Sequence, residues 1–313
     1  MVTAQDVALA KERIGKYLYE TPVIRLQNLD EALGCQVYVK AENMQKTHSF
    51  KLRGAMNKIL SFTSEELSRG IVAISSGNHG IGVAYAARML GAKATVVLGD
   101  TALEGKINEI KSLGAEVVLC DVVERQNVAQ GLIEKYGYVL VPPYDDEMII
   151  AGQGTCGVEI VRQLPEVDVI VTPVSGGGLL SGVAVGAKGE KPSVRVMGAE
   201  PAVLPRYSKS LAAGERVVLP KAISLADALP AIQPGQLNFP LVQKYVDQVA
   251  TASEEYIAKA ARLLSAEGKI LAEPSSSLPM GAVLEGNLRF DPHEKVCFVL
   301  SGGNMELKLL ASL

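Results

Sequence analysis

Hydrophobic and polar positions alternate in blocks through the middle of the chain, and the blocks predict a strand followed by a helix three times in succession. Short apolar runs are typical of buried strands, and the longer amphipathic runs each end at a glycine, as many helices do. The predicted strands are Ile71–Ile74, Thr95–Leu98 and Val117–Leu119, and the predicted helices are Ile81–Leu90, Ala102–Leu113 and Val123–Tyr136. This alternation predicts a parallel, doubly wound sheet.

The alternation stops at Pro142-Pro143 and then resumes, which predicts a second unit of the same class. A looser stretch, Glu200 to Asp227, interrupts this second part. Its predicted elements are a helix over 147–163, a strand Val167–Thr172, a helix Leu179–Ala187, a strand Val194–Ala199, a capped helix Ser253–Glu267 and a final strand Lys295–Leu300. At the N-terminus, Thr3 and Asp6 have the spacing of a capping box before an amphipathic helix. The fold class is therefore predicted as α/β with two doubly wound parallel sheets.

Composition supports this class and excludes several kinds of partner. The 313 residues favour two domains, and the absence of Trp leaves a core of Val, Ile, Leu and Ala, as in buried parallel sheets. The formal charge is −3, from 31 basic and 34 acidic residues. We therefore expect no nucleic acid and no membrane among the partners.

Cysteine usage and the N-terminal segment predict a cytoplasmic protein. The four cysteines, Cys35, Cys120, Cys156 and Cys297, form no CxxC pair, so reduced thiols are expected. The N-terminus is charged throughout and lacks the apolar stretch of a signal peptide. The uncharged stretch from Val169 to Ala187 contains Pro173 and several glycines, so a strand, a turn and a helix are predicted there instead of a membrane span.

Three small, polar, glycine-containing turns follow predicted strands, where ligands bind in open α/β sheets. They are Ser75-Ser76-Gly77-Asn78-His79-Gly80, Ser175-Gly176-Gly177-Gly178 and Ser301-Gly302-Gly303-Asn304. The second turn lies between a strand and the start of a helix, so its backbone N–H groups and the helix dipole predict a phosphate site.

A dinucleotide site is the first rival interpretation of this turn. Gly176-x-Gly178 and the later acidic Glu200 favour it, but Ser181 stands where the third glycine of that fingerprint belongs. The three histidines have no metal-ligand spacing, so no metal site is predicted from them.

Lys51 indicates which phosphorylated compound the predicted phosphate site binds. It follows an apolar strand, Val37–Ala41, and begins a helical run with few charges. A lysine combined with a phosphate cradle suggests a Schiff base with a phosphorylated aldehyde, which is pyridoxal phosphate.

With these residues in view, the sequence resembles the fold-type II pyridoxal-phosphate enzymes of the threonine/serine dehydratase and serine racemase family, which are similar to tryptophan synthase β. The segments SFKLRGA, SSGNHG and SGGGL carry the resemblance, which runs from Thr21-Pro22 to Ser301-Gly302-Gly303-Asn304. It implies a large domain made of residues 1–53 and 142–313, and a small inserted domain of residues 54–141.

The resemblance also implies a role for each site residue. Lys51 would bond the cofactor and later take the Cα proton, and Ser76 could serve the opposite face as a second acid/base group. The implied cofactor-binding residues are Phe50, Lys51, Asn78, Ser175, Gly176, Gly177, Gly178, Leu179, Glu273 and Ser301. The implied substrate-binding residues are Ser75, Ser76, Gly77 and His79. Because Ser301 is neutral, we expect the ring nitrogen that it faces to stay unprotonated.

The implied reaction is ammonia loss from an L-β-hydroxy amino acid, by default L-threonine or L-serine, to give a 2-oxo acid. Serine racemisation with elimination as a side activity is the alternative that Ser76 favours. Elimination from a less usual substrate such as 3-hydroxyaspartate, a nucleotide-dependent oxidoreductase and a silent amino-acid sensor remain open. Family members are dimers or larger, so a homodimer or higher homo-oligomer is expected.

Several positions depart from the family pattern. They are His48, Ser175, Ala228, Ser276 and Ser277. Racemases carry a substrate-binding arginine near the position of Gly131, and the sequence predicts none here. Relatives with a divalent cation have an aspartate where this chain has Arg206, so the guanidinium of Arg206 is expected to pair with Glu200 in place of a metal.

Overall fold

The computed structural model describes residues 1–75, 77–306, 308–309 and 313, and within them the strands form two sheets. The first has the order β1-β2-β10-β7-β8-β9, and β1 is antiparallel to its neighbour while the other pairs are parallel. The second is parallel and has the order β5-β4-β3-β6. The strands are β1 Val23–Arg25, β2 Gln36–Ala41, β3 Ile71–Ser75, β4 Ala94–Gly99, β5 Glu116–Cys120, β6 Val139–Leu140, β7 Val169–Pro173, β8 Arg195–Pro201, β9 Gln248–Ala252 and β10 Lys295–Leu300.

Helices connect the parallel strands, as the alternation of the sequence predicts. They are α1 Ala4–Ile14, α2 Asp30–Leu33, α3 Lys51–Ile59, α4 Ser64–Arg69, α5 Asn78–Met89, α6 Glu104–Ser112, α7 Arg125–Tyr136, α8 Glu147–Gln163, α9 Gly178–Glu190, α10 Arg206–Ala213, α11 Asn238–Tyr245, α12 Glu254–Ala266 and α13 Pro274–Leu284. Short 3₁₀ turns lie at Gly15–Tyr17, Gln27–Leu29 and Glu42–Met44. No helix within the described residues has both the length and the apolar character needed to cross a membrane.

The predicted α/β class and the strand–helix alternation are confirmed. Every residue of β4 and β7 is buried, which explains why these strands are apolar throughout instead of alternating. The capping box is also confirmed, because Thr3 accepts a hydrogen bond from the Asp6 backbone and the Asp6 side chain accepts one from the Thr3 backbone.

The structure differs from the sequence prediction at several element boundaries. Helix α5 begins at Asn78 instead of Ile81, because its first turn is polar and lies outside the apolar pattern. The stretch predicted as loose contains helix α10, whose amphipathic pattern is only eight residues long. Ser253 precedes α12, but its side chain makes no capping hydrogen bond, so that predicted cap was wrong.

The order of the strands brings the three glycine turns together. In the first sheet β7 and β10 are neighbours, and in the second sheet β3 lies between β4 and β6. In the first sheet β8 and β9 are added on one side of β7 and β10 on the other, and in the second sheet β4 and β5 are added on one side of β3 and β6 on the other. The turns after β3, β7 and β10 therefore lie at the points where the strand order reverses, which is the usual ligand position in such sheets. The second sheet uses residues 71–140, but the division into domains at residues 53/54 and 141/142 stays a prediction, and α3 crosses its first boundary.

Candidate active site

A cavity of about 270 Å³ lies at the carboxyl ends of β3, β7 and β10. Most of the predicted site residues line it, although they come from four separate parts of the chain. Those on its wall are Phe50, Lys51, Ser75, Gly77, Asn78, His79, Ser175, Gly176, Gly177, Gly178, Leu179 and Ser301. Glu273 lies behind this wall, and Ser76 lies outside the described residues.

The turn between β7 and α9 has four backbone donors without a protein partner. Within the described residues, no group accepts a hydrogen bond from the N–H groups of Gly176, Gly177, Gly178 and Leu179. Side chains are excluded by space here: a Cβ on Gly176 would lie 2.4 Å from the Tyr144 ring, and Gly177 has a φ of +107°. Unpaired N–H groups at the start of a helix fit a phosphate group.

Contacts behind this turn hold its carbonyl groups away from the cavity. Tyr207 Oη donates to the carbonyl oxygen of Gly176 at 3.0 Å, and Arg206 Nη1 donates to that of Val174 at 3.1 Å. Ser175 Oγ accepts from the Ala231 backbone at 3.1 Å. The turn is therefore braced before any ligand arrives.

Lys51 is the first residue of α3, and the preceding segment is pinned to the turn after β10. The Phe50 backbone N–H donates to the carbonyl oxygen of Ser301 at 3.0 Å, and Ser49 pairs with Gly302 in an isolated antiparallel bridge. Lys51 Nζ lies 5.2 Å from the centre of the Phe50 ring and donates to the carbonyl oxygen of Pro143 at 2.7 Å. Burial lowers the pKa of the Lys51 amine to about 8, so a neutral nucleophile is accessible near neutral pH.

Asn78 begins α5 and is oriented by two neighbours. Its Nδ2 donates to the Glu273 carboxylate at 2.8 and 3.1 Å, and its Oδ1 accepts from Asn304 Nδ2 at 2.9 Å. Burial raises the pKa of Glu273 to about 7. Glu273 was predicted among the cofactor-binding residues, and in this structure it contacts Asn78.

The remaining residues of the loop after β3 are held by short polar contacts. Ser75 Oγ accepts from the backbone N–H groups of Gly77 and Gly80 at 2.9 and 2.8 Å. His79 Nε2 donates to the carbonyl oxygen of Val141 at 2.8 Å. Burial, together with the charge of Lys51, lowers the pKa of His79 to about 3, so its ring is neutral with Nδ1 as an acceptor.

Two cations on the cavity wall were not predicted from the sequence. Arg125 Nη1 donates to the carbonyl oxygen of Ser75 at 3.1 Å, and Lys106 Nζ lies 3.5 Å from the carboxylate of Asp227. The expectation that the substrate-binding arginine near Gly131 is missing concerned one aligned position and did not consider Arg125, which lines the cavity. Arg125 follows β5, so the strand-end rule could have identified it.

The residues around Glu200 do not fit a divalent cation. Glu200 accepts hydrogen bonds from the Tyr207 and Ser208 backbones at 2.9 and 2.8 Å, and Arg206 Nε lies 4.0 Å away. Arg206 is fully buried, and its Nε and Nη2 have no hydrogen-bond partner among the described residues. A guanidinium cannot ligate a metal, and the described residues contain no group of three potential metal-ligating side chains.

Comparison with known proteins identifies the family to which this chain and its cavity belong. A family profile described as "Pyridoxal-phosphate dependent enzyme" matches residues 14–302. The L-threonine ammonia-lyase of Thermotoga maritima is 40% identical over 99% of this chain and 77% of its own length. The serine racemase of Dictyostelium discoideum is 38% identical over 100% of this chain and 98% of its own length.

A solved structure gives the same result for the fold. The structure described as a pyridoxal 5′-phosphate-dependent aspartate racemase superposes with a TM-score of 0.94 at 34% identity, covering 100% of this chain and 98% of that one. The unpaired N–H groups and the buried amine of Lys51 fit the phosphate and the aldehyde of that cofactor. The chain belongs to the pyridoxal-phosphate dependent enzymes of fold type II, and its cofactor is pyridoxal phosphate.

Proposed function

We propose that this enzyme is an ammonia-lyase that converts an L-β-hydroxy amino acid, by default L-threonine or L-serine, to a 2-oxo acid and ammonia. The observation that carries the proposal is the placement of the Lys51 amine and the four unpaired N–H groups of residues 176–179 on the walls of one cavity. Elimination and racemisation of an amino acid both begin with removal of the Cα proton, and the relatives include an L-threonine ammonia-lyase and a serine racemase.

Each side of the cavity has a distinct task in this proposal. When bound, pyridoxal phosphate supplies an aldehyde for the amine and a ring that accepts electrons from Cα. Gly176, Gly177, Gly178 and Leu179 bind its phosphate, and Phe50 packs against its ring. Asn78, fixed by Glu273, binds the ring hydroxyl, and Ser301 faces the ring nitrogen.

Lys51 moves the proton in the reacting step. Its amine, whose pKa is lowered to about 8, would take the proton from Cα of the bound substrate. The loop of Ser75, Ser76, Gly77 and His79 would bind the substrate carboxylate at the start of α5, through backbone N–H groups, because the His79 ring already donates to Val141. In the net reaction the β-hydroxyl and the Cα proton would leave together as one water. A second water would hydrolyse the released enamine to the 2-oxo acid and ammonia.

Racemisation of serine is the second candidate within the same site. It needs acid/base groups on both faces of the Cα carbanion, and Ser76 is our candidate for the face opposite Lys51. The serine racemase of Dictyostelium discoideum, at 38% identity, supports this alternative.

An acidic substrate such as 3-hydroxyaspartate is the third candidate. Arg125 and Lys106 on the cavity wall offer positive charge to a second carboxylate, and the Lys106 amine lies 3.5 Å from the carboxylate of Asp227, at the outer limit of a hydrogen bond. The 34% identical aspartate racemase structure is a related protein whose described activity concerns an acidic amino acid. Elimination rates for threonine and 3-hydroxyaspartate distinguish these substrates.

We also propose that the enzyme is a cytoplasmic homodimer or higher homo-oligomer. All four cysteines are unpaired, which supports a reducing compartment. Light scattering on the purified protein measures the oligomeric state, and a monomeric mass contradicts this part of the proposal.

The decisive experiment uses purified protein as isolated. The yellow absorbance of bound cofactor is expected in wild type and is lost in Lys51→Ala. Release of 2-oxo acid and change of chirality are then measured across a panel of β-hydroxy amino acids. Ser76→Ala separates the first two candidates: loss of racemisation with retained elimination supports a second acid/base group, and equal loss of both contradicts it.

A further inference from the structure

Positive charge exceeds negative charge on the wall of the cavity. Lys106 and Arg125 line it in addition to Lys51, and Asp227 is the only acidic residue among the described residues of this wall. Lys51 is assigned to the cofactor, so two cations and one carboxylate remain without a role in the proposed reaction. A cavity with such an excess of positive charge favours an anionic ligand.

Lys106 is almost buried, and its charge is only weakly compensated. Its side chain is 11% exposed, and in the part of the chain that the structure describes Asp227 is the only residue with a carboxylate within 4 Å of its amine, at 3.5 Å. Glu109 and Glu273 lie farther away, and burial raises the pKa of both, so they neutralise the amine less. Because a buried charge is stable only when it is paired, this amine has room for a second anionic partner.

A glycine in the loop after β3 makes room for this amine. A Cβ on Gly77 would lie 2.6 Å from Lys106 Cδ and 3.2 Å from Lys106 Nζ, so a side chain at Gly77 would collide with the lysine. The same loop begins α5, where the proposed function puts the substrate carboxylate. Lys106 Nζ therefore lies beside the substrate position, and Asp227 approaches it from the segment between α10 and α11.

Asp227 is suited to leave this pair when another anion arrives. Its side chain is 51% exposed, and its carboxylate accepts no other hydrogen bond from the described residues, so water can solvate it once it has left. Arg125 is held in place instead, because its Nε and Nη1 donate to the carbonyl oxygens of Val122 and Ser75, both at 3.1 Å. The partner that a ligand can exchange is therefore the one beside Lys106.

We propose that Lys106 selects substrates with a second carboxylate on Cβ, and that this carboxylate replaces Asp227 beside the amine. The substrate class is an acidic β-hydroxy amino acid such as 3-hydroxyaspartate. The inference rests on the proposed function and narrows its third candidate, because it names the residue that binds the side chain and the carboxylate that the substrate displaces. Threonine has no second carboxylate and leaves the pair of Lys106 and Asp227 intact.

The kinetic test compares an acidic and a neutral substrate on the holoenzyme. Lys106→Met keeps an unbranched stem over Gly77 and removes the charge. The kcat/KM for 3-hydroxyaspartate should fall about 10- to 100-fold, the value of one charge-assisted hydrogen bond, and that for threonine should stay within about threefold. Asp227→Asn removes the competing carboxylate and should raise kcat/KM for 3-hydroxyaspartate about threefold, as expected for a partly exposed pair.

Lys111→Met is the matched control. Lys111 lies on the same helix, α6, but it is exposed and does not line the cavity. The same loss of charge there should leave kcat/KM for both substrates unchanged. An equal fall for both substrates in Lys106→Met would show that this lysine binds the carboxylate on Cα, and that result overturns the inference. If Lys106→Met does not fold, Asp227→Asn decides, since an unchanged preference for 3-hydroxyaspartate there also overturns it.

A binding measurement separates this inference from the proposed function. Succinate and butyrate have the same carbon chain and differ by one carboxylate, so titration calorimetry on the holoenzyme isolates the contribution of that group. Wild type and Lys111→Met should bind succinate about tenfold more tightly than butyrate, and Lys106→Met should bind both equally. Equal affinities in wild type overturn the inference even if threonine is eliminated. A protein that prefers succinate but eliminates neither amino acid overturns only the proposed function.

Discussion

Two buried arginines stand behind the two anchors of the cofactor site, and their surroundings are opposite. Arg53 lies two residues after Lys51 and forms five hydrogen bonds to side chains, which come from Glu42, Glu159 and Thr155. Lys40 Nζ also lies 2.8 Å from the Glu159 carboxylate. This cluster compensates each buried charge and fixes α3, the helix that carries Lys51.

The side chain of Arg206, behind the phosphate turn, makes one hydrogen bond to the described residues, and it is 4.0 Å from its carboxylate partner, Glu200. Burial lowers the pKa of Arg206, whereas the carboxylates beside Arg53 raise the pKa of that guanidinium. A buried charge must be paired to be stable, so the two sites differ in how much each contributes to folding. Full pairing indicates a structural brace, and partial pairing leaves positive charge near the phosphate turn.

The largest effect is expected from breaking the paired cluster. Arg53→Met leaves the buried Glu42 without its cation and leaves Glu159 with Lys40 and Lys11, so the free energy of unfolding should fall by about 3–5 kcal/mol. Urea unfolding of the cofactor-free protein measures it. The control is Arg162→Met, which removes an exposed pair with Glu190 and should cost less than about 1 kcal/mol. Equal losses in the two variants would contradict the distinction.

Acid should weaken the same cluster. The neighbouring cations Arg53 and Lys40 overcome the effect of burial and lower the pKa of Glu159 to about 2. Since the unfolded chain binds this proton near pH 4.5, the contribution of Glu159 is present above that pH and is lost as the pH falls towards 2. The loss amounts to about 3 kcal/mol. Between pH 6 and pH 2 the free energy of unfolding should decline less steeply in Glu159→Gln than in wild type. Parallel curves would show that Glu159 is not the group responsible for this decline.

A smaller effect on folding is expected at the other arginine. Arg206→Met loses one hydrogen bond, whereas Glu200 keeps its backbone donors. The free energy of unfolding of the cofactor-free protein should therefore fall by about 1 kcal/mol. The dissociation constant for pyridoxal phosphate should rise about tenfold, because a positive charge behind the phosphate turn is removed. Titration with the cofactor measures this rise. A stability loss as large as that of Arg53→Met, with unchanged affinity, would remove the contrast between the two sites.

Divalent cations are expected to have no effect on the stability of the wild-type protein. Because Arg206 occupies the position beside Glu200, a chelator and added Mg²⁺ should leave the melting temperature of wild type unchanged. Arg206→Asp places a second carboxylate there, and divalent cations should raise the melting temperature of that variant by about 2–4 °C. Arg206→Asn is the control without the added charge. A chelator-sensitive wild type would show that a metal binds despite the guanidinium.

Local patterns explain why much of the site could be predicted. Lys51 and the glycine turns each lie within a few residues of a strand end, so short-range sequence and the rule for open sheets place them at one edge. The glycines at 176–178 are required by local conformation and close packing, and both leave a direct mark in the sequence. Secondary structure was predicted for the same reason, because buried strands require continuous apolar runs.

Contacts between distant segments could not be predicted in this way. Arg125 reaches the carbonyl oxygen of Ser75 across 50 residues, and Asn78 meets Glu273 across 195. The local sequence pattern of α10 does not predict that Arg206 lies behind the phosphate turn. These contacts depend on how helices pack on the sheets. The identity of a single polar residue in an amphipathic helix does not indicate which distant residue it contacts.

The sequence by itself therefore determined the α/β class, the three turns and the lysine, because each depends on residues close together in the chain. Only the tertiary structure decided the state of the groups placed there: which arginine is fully paired and which side chain holds Asn78. The physical reason is that charge and proton position depend on burial and on hydrogen-bond partners, and both are fixed by the packing of segments far apart in the chain.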